Sequence, residues 1–300
     1  MKLSFAFAAC SFLCSVTGFA QAPSRPAITG IAFARFYAAD AAASERFYSG
    51  TLGLQKLAAG NTSIYPVNAL QWVETVPLPD PALKSRMAAV GFTTRNAAQL
   101  QAYVEAKGVT VSHPLHGGMF SVQDPEGNEV WFVQTGAQQQ VAKMRPSANA
   151  TSGRMIHVGY VVNDAAKEDA FYRDVLGFHA YWHGGRNPDR ADWVSLQVPE
   201  GSDWMEYMLH IPPDANLRSV GVQDHFSLGT VAMSTVLDQL KANKCLDESC
   251  HKPQIGLDGK TQLNLYDPDL TRVEFMEYVP QQKPCCSPIT GKNPSDVEER

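Results

Sequence analysis

Apolar and polar positions along this chain fall into short runs of strand length, interrupted by single helical stretches, and that order returns four times. The first run, residues 28–38, is almost wholly apolar and predicts a buried strand. Residues 41–51 then carry apolar and small residues at helical spacing, with Gly53 as the stop. Short strands are expected near 62–65 and 71–76, before a proline-rich break at 77–81. A second strand–helix–strands unit runs from Met87 through a helix over 97–107 to strands within 119–134. The same order recurs at 155–211 and 224–279. The pattern predicts an α+β protein of four βαβββ modules in tandem.

The two halves are related by direct self-similarity. A shift of 124 residues carries Asp40 onto Asp164, Phe47-Tyr48 onto Phe171-Tyr172, and Leu52-Gly53-Leu54 onto Leu176-Gly177-Phe178. Further on, the Trp72–Glu74 segment parallels Trp204–Glu206, and the Asp-Pro turn at Asp124 parallels that at Asp267. A fixed offset of this kind marks a duplication. The domain reading is one half over 23–137, a polar, small-residue linker over 138–153, a second half over 154–280, and a polar tail over 281–300.

Alternation along the strands of the second half collects chemistry on one surface. His157 lies on its first strand and Glu206 follows 49 positions later; Glu274 follows His225 by the same 49. Side chains two apart share a strand face. Trp204, Glu206, Met208 and His210 therefore line one surface, and Arg272, Glu274 and Met276 another. A carboxylate on an inward face needs a charged partner or a metal. Two imidazoles with one or two carboxylates suit a divalent first-row ion that keeps a position open. The expected metal set is His157, Glu206, His225 and Glu274, with Glu274, Glu206 and His210 as candidate acid–base groups. His113, His116, His179, His183 and His251 are expected in surface loops or turns. Trp182, Trp193 and Trp204 read either as core or as walls of a binding pocket. Matched to the first half, the four ligand positions become Phe33, Glu74, Ala88 and Trp131, so that half should lack the metal and shape structure or substrate; Glu74 reads as a surface or capping carboxylate.

Composition narrows the setting. With 30 acidic against 25 basic residues the net charge is −5, which offers no footprint for nucleic acid or an anionic membrane. Lys2, an apolar run to Val16 and the Ala20-Gln21-Ala22 site form a secretory signal cleaved after about Ala22, too short for a membrane span. A secreted or periplasmic protein is expected. Cys245, Cys250, Cys285 and Cys286 then remain, and they allow three pairings, one role being to tie the tail to the 245–250 loop. The expected partner is a small-molecule substrate, and the chain is read as a monomer or a homodimer.

"FYSGTLGL" and "FYRDVLGF" after the first strand of each half, with "DPEGNEVWF" and "DPDLTRVEF" near each half's end, resemble the vicinal oxygen chelate superfamily of glyoxalase I, extradiol ring-cleaving dioxygenases and bleomycin-resistance proteins. The resemblance spans most of residues 28–279. It implies paired modules curled into half-open barrels with a divalent metal on the cleft floor. Likeness to glyoxalase I implies a four-ligand Ni²⁺ or Zn²⁺ centre at His157, Glu206, His225 and Glu274. The implied chemistry is proton transfer beside a carbonyl, by a lyase or isomerase. Likeness to the dioxygenases implies His157, His225 and Glu274 around Fe²⁺ or Mn²⁺, with His210 near the acid–base position and Asn264 where a tyrosine is expected. The bleomycin-resistance likeness implies a non-catalytic binder of small molecules.

Overall fold

The structure, a computed structural model, describes residues 23–137, 147–187 and 189–296. The signal segment and most of the linker lie outside these residues. Each half is one eight-stranded sheet. In the first, the order is β2-β3-β4-β1-β5-β8-β7-β6. The strands are β1 (Ile28–Ala38), β2 (Leu57–Ala59), β3 (Thr62–Pro66), β4 (Trp72–Pro77), β5 (Met87–Thr94), β6 (Val111–His116), β7 (Met119–Gln123) and β8 (Glu129–Gln134). The second half repeats the order as β10-β11-β12-β9-β13-β16-β15-β14. Its strands are β9 (Met155–Val161), β10 (His179–Gly184), β11 (Trp193–Gln197), β12 (Trp204–Met208), β13 (His225–Thr230), β14 (Gln254–Ile255), β15 (Thr261–Tyr266) and β16 (Arg272–Glu277). Within each sheet two βαβββ modules join through an antiparallel pair, β1 with β5 and β9 with β13, while β4, β8, β12 and β16 run parallel to β1, β5, β9 and β13 respectively. The result is two tandem, sheet-dominated, curled half-barrels.

Local chemistry sets the helices. Asp40, Asn96 and Asp164 accept backbone N–H groups at the starts of their helices. The helix Met233–Ala242 has no such side chain at its N-cap; instead the Glu277 carboxylate on β16 accepts from the Met233 N–H at 2.8 Å. In both halves the first helix widens into π-helical turns, Arg46–Thr51 and Ala170–Val175. These turns carry the Phe-Tyr pair seen in the sequence repeat, and they bury Tyr48 and Tyr172 completely.

Those tyrosines dock the halves. One oxygen of Asp267 closes its own Asp-Pro turn by accepting from the N–H groups of Asp269 and Thr271, and the other accepts the Tyr48 hydroxyl at 3.0 Å. Asp124 does the same with its own turn, and its other oxygen accepts the Tyr172 hydroxyl at 3.4 Å and the Tyr160 hydroxyl at 3.2 Å. Asp224 adds a third bond set, taking Ser85 Oγ at 2.7 Å and the Arg86 N–H at 3.0 Å. One continuous apolar core runs through both halves and their helices, and a smaller apolar cluster lines the remaining face of each sheet.

The tail lies along β10. Thr290 N–H donates to Tyr181 O at 2.9 Å, and His183 N–H donates to Ser287 Oγ at 2.9 Å. Trp182 Nε1 donates to Cys285 O at 3.2 Å. The cysteines pair with their sequence neighbours, Cys245–Cys250 and Cys285–Cys286, so no disulfide ties the tail to the 245–250 loop. Hydrogen bonds along β10 hold it instead. No helix among the described residues is long and apolar enough to cross a membrane.

Candidate metal centre and its cavity

Three central strands of the second sheet bring the candidate ligands together. His157 on β9 is opposite Ser227 on β13, and Ser227 is in turn level with Glu274 on β16. His157 Nε2 lies 3.0 Å from both His225 Nε2 and Glu274 Oε2. Among the described residues, His157, His225 and Glu274 form a buried group whose ligand atoms all fall within 4.8 Å of one another. Glu206 stands at its edge: Oε2 is 3.6 Å from His225 Nε2, and Oε1 accepts the Ser195 hydroxyl at 3.1 Å.

The donor set fits a divalent cation. His225 Nδ1 approaches Gln223 O at 2.6 Å, a contact only an Nδ1–H can make, which leaves Nε2 as a bare lone pair aimed at the group. Burial and the Arg272 charge push the His225 pKa down to about 4, so the ring is neutral at neutral pH. Burial raises the Glu274 carboxyl, but the His157 hydrogen bond and the Arg272 charge outweigh it and bring the pKa to about 2. Glu206 is also lowered: burial raises it, and its position beside His225 and His157 more than offsets that. His157 Nδ1 has no hydrogen-bond partner; stacking on Trp204 at 4.7 Å holds that ring.

Space for His225 comes from Gly159, its cross-strand neighbour. A Cβ at Gly159 would lie 2.1 Å from His225 Cε1. The first half inverts this pair: Arg35 holds the Gly159 position and Ala89 the His225 position. The sequence comparison pointed to Ala88 because it matched Lys244 with Lys107. The conformational equivalent of Lys244 (φ 59) is Gly108 (φ 84), one residue later.

Arg35 makes the first half a cation site of its own. Its Nε is 2.5 Å from Glu74 Oε2, and its guanidinium lies 5.2 Å from the Phe33 ring and 5.7 Å from Trp131. Glu74 is thus buried rather than a surface or capping group, and its other oxygen accepts Trp72 Nε1 at 2.6 Å. Phe33 and Trp131 stand at the His157 and Glu274 positions, so that half carries no comparable ligand set among its described residues.

His210 lies apart from the cavity. Strand β12 ends at Met208, and His210 takes a left-handed backbone (φ 62) that breaks the alternation; its Nε2 meets Ala191 O at 3.1 Å on the exposed surface. His113, His116, His179 and His183 are exposed, though on strands β6 and β10 rather than in loops; His251 is exposed in a short turn.

A cavity of about 240 Å³ opens on the centre, with Trp182, Trp193 and Trp204 in its wall beside Glu206, Arg272 and Glu274. Arg272, Glu274 and Met276 all line it, as period-two alternation requires. Sequence reading missed Lys260, which is fully buried. Its Nζ donates to Tyr181 Oη at 2.8 Å and lies 4.6 Å from the Trp204 ring. Burial lowers its pKa to about 8, against the opposing charge of Asp258. A lone lysine in a Gly-Lys-Thr turn gives no sign of this, because its partner Tyr181 is 79 residues away in sequence.

Solved structures share the fold. Homoprotocatechuate 2,3-dioxygenase from Brevibacterium fuscum, in complex with 3,4-dihydroxyphenylacetate, is 18% identical with a TM-score of 0.59, over 85% of this chain and 82% of that one. A Mn(II)-bound glyoxalase from Novosphingobium aromaticivorans is 17% identical with a TM-score of 0.63, over 84% and 83%. Homoprotocatechuate 2,3-dioxygenase from Arthrobacter globiformis is 19% identical with a TM-score of 0.61, over 87% and 84%. A search of curated proteins returned no match. Two stretches, residues 30–132 and 154–275, match a family description that fits the duplicated half-barrels, and the chain belongs to the Glyoxalase/Bleomycin resistance protein/Dioxygenase superfamily.

Proposed function

We propose that this chain is an exported, metal-dependent lyase or isomerase that moves a proton on a carbon next to a carbonyl of a small oxygen-bearing substrate. His157, His225 and Glu274 would hold the ion, with Glu206 able to join them. A divalent ion held there supplies Lewis-acid polarisation of substrate oxygens. Glu206 is the observation that carries the reading. It is a carboxylate facing the cavity beside the ligand group, oriented through Oε1 by Ser195 and leaving Oε2 to take the proton. Its depressed pKa keeps it ionised and ready to accept. Trp182 and Trp193 in the cavity wall give a substrate apolar surface to pack on, and the neutral His225 adds no competing proton donor.

Ring cleavage with Fe²⁺ or Mn²⁺ is the second reading, favoured by the three-residue group. Asn264, in the cavity wall where an acid–base phenol is expected, weighs against it. The test is Glu206→Gln in Ni²⁺- or Zn²⁺-loaded protein. Exchange of the α-proton of small hydroxyketones and hemithioacetals into D₂O should fall by about 10²–10⁴-fold while metal content is retained. Oxygen uptake with catechols by the Fe²⁺ form would favour ring cleavage. Tight ligand binding without metal uptake would leave a binding protein. Retention of the Ala22-cleaved form in a periplasmic or culture fraction tests export.

A further inference from the structure

Two aromatic rings beside the metal centre have buried nitrogens with no polar tether. His157 Nδ1 and Trp204 Nε1 both lack a hydrogen-bond partner. A ligating imidazole ordinarily donates its second N–H to an acceptor, which fixes the ring's orientation. Here rings stack instead, His157 on Trp204 at 4.7 Å and Trp204 on Tyr181 at 4.8 Å. The far end of this pile is anchored by Lys260. Its Nζ lies 4.6 Å over the Trp204 ring and 5.1 Å over that of Tyr181, and it donates to Tyr181 Oη at 2.8 Å. Tyr181 Oη in turn donates to Asn293 Oδ1 at 2.6 Å. The lysine is fully buried, and a desolvated ammonium is held firmly by an indole face.

The first half shows what the lysine replaces. Phe33 and Trp72 stack there at 5.2 Å in the places of His157 and Trp204, and Glu74 accepts Trp72 Nε1 at 2.6 Å. Glu206, at the Glu74 position, turns to Ser195 and His225 and leaves Trp204 Nε1 bare. Lys260 stands seven residues before Asp267 (267 − 260), and seven residues before Asp124 (124 − 117) stands Gly117. The cation therefore belongs to the half with the ligand set, where the carboxylate has left the indole. We propose that Lys260 is a positioning residue: acting through Trp204, it holds His157 at the ligand point and so releases Glu206 from that task. This rests on the metal-centre reading above and adds a residue behind it.

Lys260→Met keeps the side-chain bulk and removes the charge. On charge alone, losing a cation near the centre should tighten Zn²⁺ binding. Loss of positioning should weaken it by about 10–100-fold, the range for an outer partner of a ligating histidine. Zinc affinity, read by competition with a chromophoric chelator, is expected to fall in Lys260→Met. It should recover in part in Lys260→Arg, which keeps a cation over the indole. In a Trp204→Leu background the same Lys260→Met change should cost less than about 3-fold, because the intermediary is gone. Affinity that is unchanged or tighter, or a fall of equal size without Trp204, would overturn the assignment. If Trp204→Leu does not fold, the visible spectrum of the Co²⁺-loaded protein decides: it should shift in Lys260→Met and return in Lys260→Arg, and an unshifted spectrum overturns the proposal. Wild-type protein that takes up neither ion defeats the metal reading itself, and this assignment with it.

Discussion

Gly159→Ala is the smallest change that separates the metal centre from the fold. The added Cβ would lie 2.1 Å from His225 Cε1 and 2.8 Å from both ring nitrogens. Ordinary carbon contacts begin near 3.5 Å, so the ring must retreat by roughly 1.4 Å. It cannot do so and keep its place, because Nδ1 is tied to Gln223 O at 2.6 Å and the ring is fully buried. Overpacking of this kind costs about 1–3 kcal/mol, partly offset because alanine loses less chain entropy than glycine in a strand. The ligand set suffers more, since Nε2 leaves the point it shares with His157 and Glu274. Zinc affinity, measured by competition with a chromophoric chelator, should fall by about 10–100-fold, the range seen when ligand orientation is lost. The unfolding midpoint of the metal-free protein should move only a few degrees. Undiminished zinc affinity in a folded Gly159→Ala protein would refute the claim that this glycine makes room for a ligand.

Two further outcomes follow from the paired halves. Arg35→Met leaves Glu74 buried with Trp72 Nε1 as its remaining partner. It should cost roughly 3 kcal/mol in urea denaturation, toward the low end for a broken buried pair because Arg35 is partly exposed, with zinc affinity unchanged. Burial raises the Asp267 pKa to about 7 and that of Asp224 to about 6, well above their unfolded value of 3.8. The folded state therefore holds more protons than the unfolded one between about pH 4 and 7, and this contribution to stability is lost as pH rises through the folded values. Asp267→Asn should flatten the fall in melting temperature between pH 5 and 8 relative to wild type; an unchanged slope would show that Asp267 does not titrate there.

Much of the site was legible because strands repeat every two residues. Arg272, Glu274 and Met276 share one face in the sequence and line one cavity in the fold. The duplication likewise exposed the Asp-Pro turns, although nothing in their spacing says that Asp267 and Asp124 reach tyrosines of the opposite half. His210 was misplaced because alternation was carried two residues beyond the end of β12. Ala88 was matched in place of Ala89 because a side-chain type was aligned where a backbone conformation is conserved between the halves. Glu74 looked exposed because its partner Arg35 lies on another strand 39 residues earlier. The coupling of Lys260 to Tyr181 is a long-range contact of the same sort and leaves no local pattern to read.

The tail along β10 bears on which sheet edges are open to a second chain. The outermost strands β2 and β14 are only three and two residues long, and β6 carries Pro114. Each is a poor template for another chain. Strand β10 is six residues long, contains Tyr181 and Trp182, and has no such defect of its own. Residues 285–292 occupy its free border, so clipping them away would expose an aromatic ribbon ready to recruit a second molecule edge to edge, and the first sign of proteolytic damage would be self-association rather than unfolding.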